Sequence, residues 1–151
     1  MKALIVYDSV YGNTEKIARA IAEAISPPDE VKMLRAGDAN PSHLESIDLL
    51  IVGSPTHAGR PTPAVHDFLN KVTQQTPGGI KVTAFDTRAT AKFARIFGYA
   101  AGRIAGNLKN KGGTVIASPE GFFVTGREGP LKEGELERAA AWARAIRETT
   151  K

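Results

Sequence analysis

No cysteine occurs among the 151 residues. Its absence excludes disulfides, thiolate nucleophiles, cysteine-based zinc sites and iron–sulfur clusters, so redox chemistry in this chain must come from a bound cofactor. A cysteine-free chain also suits a reducing cytoplasm. Long apolar runs are missing too. The run ALIVY, residues 3–7, stops at Asp8 before reaching signal-peptide length, and nothing approaches the ~20 residues of a membrane helix. A soluble, unprocessed, cytoplasmic protein with no membrane partner is expected. Charge of one sign is scarce: 20 Lys and Arg stand against 16 Asp and Glu, a net +4 too mild to indicate nucleic acid. The basic residues are nevertheless unevenly placed. Arg88, Lys92, Arg95, Arg103, Lys109 and Lys111 follow one another with no acidic residue between them. They read either as a solvated helix and loop or as a docking face for an acidic partner.

What is present is an alternation. Apolar runs at residues 3–7, 31–34, 48–53, 80–85 and 114–117 predict five strands. Between them, Ile17, Ile21, Ala24 and Ile25 repeat at helical spacing, as do Val65, Phe68, Leu69 and Val72, then Ala101, Ile104, Ala105 and Leu108, and finally Leu136, Ala140, Ala143 and Ile146. Strands that are apolar throughout and alternate with helices imply a parallel sheet covered on both faces. Residues 26–28 (SPP), 76–79 (TPGG) and 112–113 (GG) punctuate the pattern. Trp142 is expected to pack in the core. No repeat or linker divides the chain, so residues 1–151 are expected to form one domain, a monomer or weak dimer.

In such a sheet ligands bind beyond the carboxyl ends of the strands, where strand order reverses. Three loops occupy those ends. The first, DSVYGNT at residues 8–14, brings Ser9, Gly12, Asn13 and Thr14 to the start of a helix, where unpaired N–H groups and the helix dipole favour an anion. The same residues could instead simply cap that helix. The loop has neither the lysine of a P-loop nor the GxGxxG spacing.

DSVYGNT resembles the phosphate loop of flavodoxins, which follows an N-terminal strand and carries a hydroxyl residue, two variable residues and Gly-Asn-Thr. The resemblance implies the five-stranded flavodoxin-like three-layer sandwich, strand order 2-1-3-4-5, with Ser9, Val10, Tyr11, Gly12, Asn13 and Thr14 around the phosphate of FMN. The second loop, SPTHAGRPTP at residues 54–63, resembles the flavodoxin loop that holds the isoalloxazine ring. By that resemblance Pro55, Thr56, His57, Ala58 and Gly59 line the flavin, with the Ala58–Gly59 peptide near N5 and able to flip with redox state, a change glycine makes cheap. A hydrogen bond of about 1.4 kcal/mol to one redox state alone moves a one-electron potential by about 59 mV. The third loop begins with Asp86, Thr87 and Arg88, the candidates for the pyrimidine edge of the ring. Flavodoxins often stack an aromatic here; Phe93, Phe97 and Tyr99 are available, though none at a matching position. An uninterrupted fifth strand implies the short-chain form, and Glu120 and Glu128 read as turn residues.

The resemblance therefore implies an FMN-binding electron carrier that shuttles single electrons between redox partner proteins, with no catalytic acid or base and no metal. An FMN-dependent NAD(P)H:quinone or flavin reductase and a non-catalytic binding module are the alternatives. Flavodoxins are commonly acidic and this chain is not, so the expected partner carries an acidic docking face. His57 stands where the family often has a large aromatic; an imidazole there can either couple reduction to protonation or be a solvent-exposed loop histidine. If it couples the two, His57→Gln changes the slope of the lower one-electron midpoint potential against pH, measured from about pH 5 to about pH 8; identical slopes would sink the coupling.

Overall fold

A computed structural model of the chain describes residues 1–26, 29–72, 80–89 and 99–150. The run ALIVY lies in β1, Lys2–Tyr7, and the run LLIVG in β3, Leu49–Pro55. Both are apolar at every position because successive side chains enter two different cores. Leu4, Val6, Leu50 and Val52 face one, and Ala3, Ile5, Leu49 and Ile51 face the other. The remaining long strands are β2, Glu30–Arg35, and β4, Lys81–Ala89. Pairing is parallel throughout in the order β2-β1-β3-β4. At the edge, β2 has no fully buried residue and exposes Glu30, Lys32 and Arg35, charges that discourage pairing with another chain.

The fifth position differs from the sequence-based expectation. Instead of one uninterrupted strand over 114–117, β5 spans only Thr114–Val115, and β6, Glu120–Val124, resumes on the same side of β4. Val82 pairs with Val115 and Phe85 with Glu120, so three steps along β4 match five along its neighbour. Pro119, which has no N–H to give the ladder, lies in the break. The sheet thus keeps the order 2-1-3-4-5, with β5 and β6 sharing the last place. Glu120 is a strand residue, not a turn residue.

Four α-helices are described: α1, Asn13–Ile25; α2, Pro63–Lys71; α3, Ala100–Asn110; and α4, Glu135–Thr149. α2 and α3 cover the face bearing Leu4 and Val52, and α1 and α4 cover the opposite one. On the latter face Phe85, Phe122 and Trp142 meet edge to face, with ring centroids 6.0 to 6.3 Å apart, each contact adding about 0.5–1.5 kcal/mol beyond area burial. After β2, two short 3₁₀ turns, Ala36–Asp38 and Pro41–Leu44, bring Leu44 into the core.

The buried stripe of α4 keeps the expected Ala143 and Ile146 but is shifted by one residue in its first half. Glu135, Ala139, Ala143 and Ile146 are buried, whereas Leu136 is 43% exposed. A hydrogen bond explains this. Phe123 N–H of β6 donates to the Glu135 carboxylate at 2.7 Å, and Arg138 holds the same carboxylate while also reaching Glu120 at 2.9 Å. The Arg138 hydrogen bond, together with that from Phe123, keeps the Glu135 carboxyl below its ordinary 4.5 against the opposing effect of burial. A carboxyl depressed in the folded state stabilises the fold fully above its unfolded pKa, and that stability is lost as pH falls through the folded value. Glu135→Gln is therefore less stable than wild type near neutral pH. In urea titrations the gap narrows as pH drops below the ordinary value of 4.5.

Candidate functional site

The first loop turns from β1 into α1 through Gly12, whose φ of +91° a residue with a Cβ rarely adopts. Ser9 Oγ accepts from Gly12 N–H at 3.1 Å and Glu15 N–H at 3.3 Å, so Ser9 alone of the three candidates takes the capping role. Asn13 and Thr14 point elsewhere. Asn13 Nδ2–H donates to Glu128 O at 3.0 Å, and Thr14 Oγ1 lies 2.8 Å from Thr87 Oγ1 of β4, both buried. No acceptor among the described residues meets the backbone N–H of Val10, Tyr11, Asn13 or Thr14. A cluster of open amides thus stands at the positive end of a 13-residue helix.

The second loop is a closed clamp. Ser54 Oγ accepts from Thr62 N–H at 3.0 Å, joining the end of β3 to the start of α2. Within it His57 and Arg60 exchange both backbone hydrogen bonds at 2.9 Å. Ala58 at φ 51° and Gly59 at φ 79° occupy the two central positions, the signature of a type I′ turn. Thr56 fastens the loop to its neighbours: its N–H donates to Thr87 O at 2.9 Å, and its Oγ1 accepts from Ala100 N–H at 3.1 Å.

β4 carries on past the expected strand end at Phe85 to Ala89. Asp86 is fully buried, and its carboxylate accepts from Arg88 Nε at 2.7 Å, Arg88 Nη2 at 2.8 Å and Ala101 N–H at 2.9 Å. The Arg88 guanidinium lies over the Tyr99 ring, 3.4 Å from its centroid. It also rests on Gly121, where a Cβ would come within 2.1 Å of the guanidinium carbon. With its side chain 16% exposed and bound to Asp86, Arg88 is not a free docking cation as the basic run suggested. Lys92, Phe93, Arg95 and Phe97 lie outside the described residues.

These loops enclose a cleft of about 200 Å³ at the carboxyl end of the sheet. Val10, Tyr11, Asn13 and Thr14 line it from the first loop; Pro55, Thr56 and His57 from the second; and Thr87 and Arg88 from β4. Ser9, Gly12, Ala58, Gly59 and Asp86 are not lining residues; they shape or brace the loops behind it. Val10 and Tyr11 are 52% and 44% exposed, large apolar side chains left at the surface beside the cleft. Ala89, Val124, Gly126 and Arg127 complete the lining and were not anticipated. The signal that could have found the last three is the GFFV run, which places a strand end beside β4 once it is read as β6. Among the described residues no Asp or Glu lines the cleft.

The sequence model of the flavodoxin family matches residues 5–142. The chain belongs to the flavodoxin family. It is similar to probable flavodoxin 1 of Bacillus subtilis, 33% identical over 86 residues that make up 56% of this chain and 54% of that one. The matched stretches span 19% to 54% of the length of the curated relatives. In structure it is similar to oxidised flavodoxin 2 from Bacillus cereus, with TM-score 0.83, 25% identity and 98% and 99% of the two chains covered. A flavodoxin from the domain Archaea shares the fold at TM-score 0.80, with 23% identity and both chains fully covered.

Flavodoxins bind FMN, and FMN is the cofactor of this flavodoxin-family chain. The cleft fits it: open amides at a helix N-terminus suit a phosphate, and a lining without carboxylates does not repel one. Among the described residues no group of His, Asp and Glu is arranged to hold a metal, and no helix is long and apolar enough to cross a membrane. The buried Asp86–Arg88 pair makes a direct prediction for the cofactor-free protein. Asp86→Ala strands the guanidinium without its partner and lowers unfolding free energy by about 3–5 kcal/mol in urea titrations; a loss below about 1 kcal/mol contradicts the bracing role.

Proposed function

We propose that this chain holds FMN in the cleft and carries single electrons between redox partner proteins in the cytoplasm, as one domain and as a monomer or weak dimer. The observation that carries this reading is the cluster of open amides at the start of α1, set in a cleft that three further chain segments close. Ser9, Val10, Tyr11, Gly12, Asn13 and Thr14 hold the phosphate, Ser9 and Gly12 by shaping the loop and the others through their open N–H groups. Pro55, Thr56, His57, Ala58 and Gly59 flank the isoalloxazine ring. Thr87 and Arg88 meet its pyrimidine edge, and Asp86 orients Arg88 without touching the ring.

FMN supplies the one-electron chemistry when bound; the chain binds it, orients it and sets its potentials. His57, exposed at the rim, offers a proton-binding group beside the cofactor. The partner presents carboxylates. The cations it meets are the exposed Arg60 after the second loop and Arg103 near it on α3, not Arg88, which is held by Asp86. Such a pairing speeds encounter and weakens as salt screens it.

Titrating the cofactor-free protein with FMN tests the proposal. Flavin fluorescence should be quenched to a stoichiometric end point, and the loaded protein should accept electrons on stepwise reduction while NADPH-to-quinone turnover stays at background. Failure to take up FMN overturns the carrier reading, and rapid steady-state quinone reduction replaces it with the reductase.

A further inference from the structure

The loop between β6 and α4 forms one wall of the cleft, and it is pinned in place. Thr125 gives the loop its shape, donating from both N–H and Oγ1 to Pro130 O at 2.8 and 3.1 Å. Asn13, in the first turn of α1, then holds it through the bond to Glu128 O at 3.0 Å. Gly129, at φ +97°, packs so closely on Asn13 that a Cβ there would stand 2.5 Å from the amide nitrogen. The loop is thereby fixed against the helix end that carries the open amides.

Arg127 sits on this loop and lines the cleft together with Asn13 and Thr14. Among the described residues the cleft has one other lining cation, Arg88, and that one is neutralised by Asp86. Arg127 is exposed, and among the described residues nothing accepts a hydrogen bond from it or pairs with it. With no carboxylate in the lining, helix dipole, open amides and an unpaired guanidinium all favour the same kind of occupant: a compact group of high negative charge.

We infer that Arg127 is an additional phosphate-binding residue, through which this chain selects the phosphorylated flavin over its dephosphorylated form. The inference rests on the FMN reading above. A guanidinium matches two phosphate oxygens at once and strengthens the contact by its charge, which backbone amides alone do not. Because the residue is exposed and has no partner to lose, replacing it leaves the fold intact.

The experiment compares FMN with riboflavin, which has the same ring and side chain without the phosphate, by fluorescence quenching on cofactor-free wild type, Arg127→Gln and Arg127→Lys. Arg127→Gln is expected to weaken FMN about tenfold while changing riboflavin by less than about twofold, and Arg127→Lys to recover most of the loss. Added salt should narrow the FMN preference of the wild type more than that of Arg127→Gln. Wild-type FMN affinity in Arg127→Gln, as expected if the side chain serves only a partner protein, overturns the inference. So does an equal loss for both flavins, the mark of a residue that touches the ring. If the wild type takes up neither flavin, the cofactor reading fails and this inference with it; if it binds FMN normally, only the behaviour of the variants decides.

Discussion

The buried carboxylate of Asp86 is the constraint around which the functional end of this molecule is assembled. One oxygen pair receives the Arg88 guanidinium and the first turn of α3 through Ala101 N–H. One residue along, Thr87 joins the first turn of α1 by its hydroxyl and the loop after β3 by its carbonyl. Two adjacent residues of β4 therefore tie together three elements that are remote in sequence. A buried charge is an expensive way to do this, and it holds only because three donors satisfy it. The benefit is positional: loops with little core of their own are fixed to a strand that cannot shift.

That arrangement explains which parts of the fold could be read from the chain and which could not. β1 and β3 are legible because they are buried on both faces, so apolarity alone marks them. β6 was invisible for the opposite reason: Pro119 and Gly121 look like punctuation, yet the first lies in a break and the second makes room for Arg88. α4 was assigned correctly as a helix with Ala143 and Ile146 inward, but Glu135 and Ala139 take the places expected for Leu136 and Ala140, since hydropathy does not anticipate a buried glutamate satisfied by a strand N–H.

The candidate site shows the same division. Gly-Asn-Thr after a strand announces an anion-binding turn, and the position of SPTHAG after another strand narrows what the turn serves. Sequence spacing does not reveal that Thr14 pairs with a residue 73 positions away, or that Asn13 holds a distant loop by donating its side-chain N–H to Glu128 O. Nor does a basic run distinguish a cation locked against a buried acid from one left at a rim. Arg88 and Arg127 are the same residue type beside the same cleft, and only the structure shows that the first is held by a buried carboxylate.

The turn at Ala58 and Gly59 resists the easy peptide flip expected from the glycine alone. Reversing the peptide between the two central residues of such a turn converts type I′ to II′, and the rotation is shared: one torsion belongs to Gly59, the other to Ala58. Glycine absorbs its half freely. Ala58, already at a positive φ, would be driven into a region open essentially to glycine alone. A Cβ at this one position thus works as a ratchet pawl, holding the amide in one direction. Anything seated against this turn therefore meets an amide of one fixed direction.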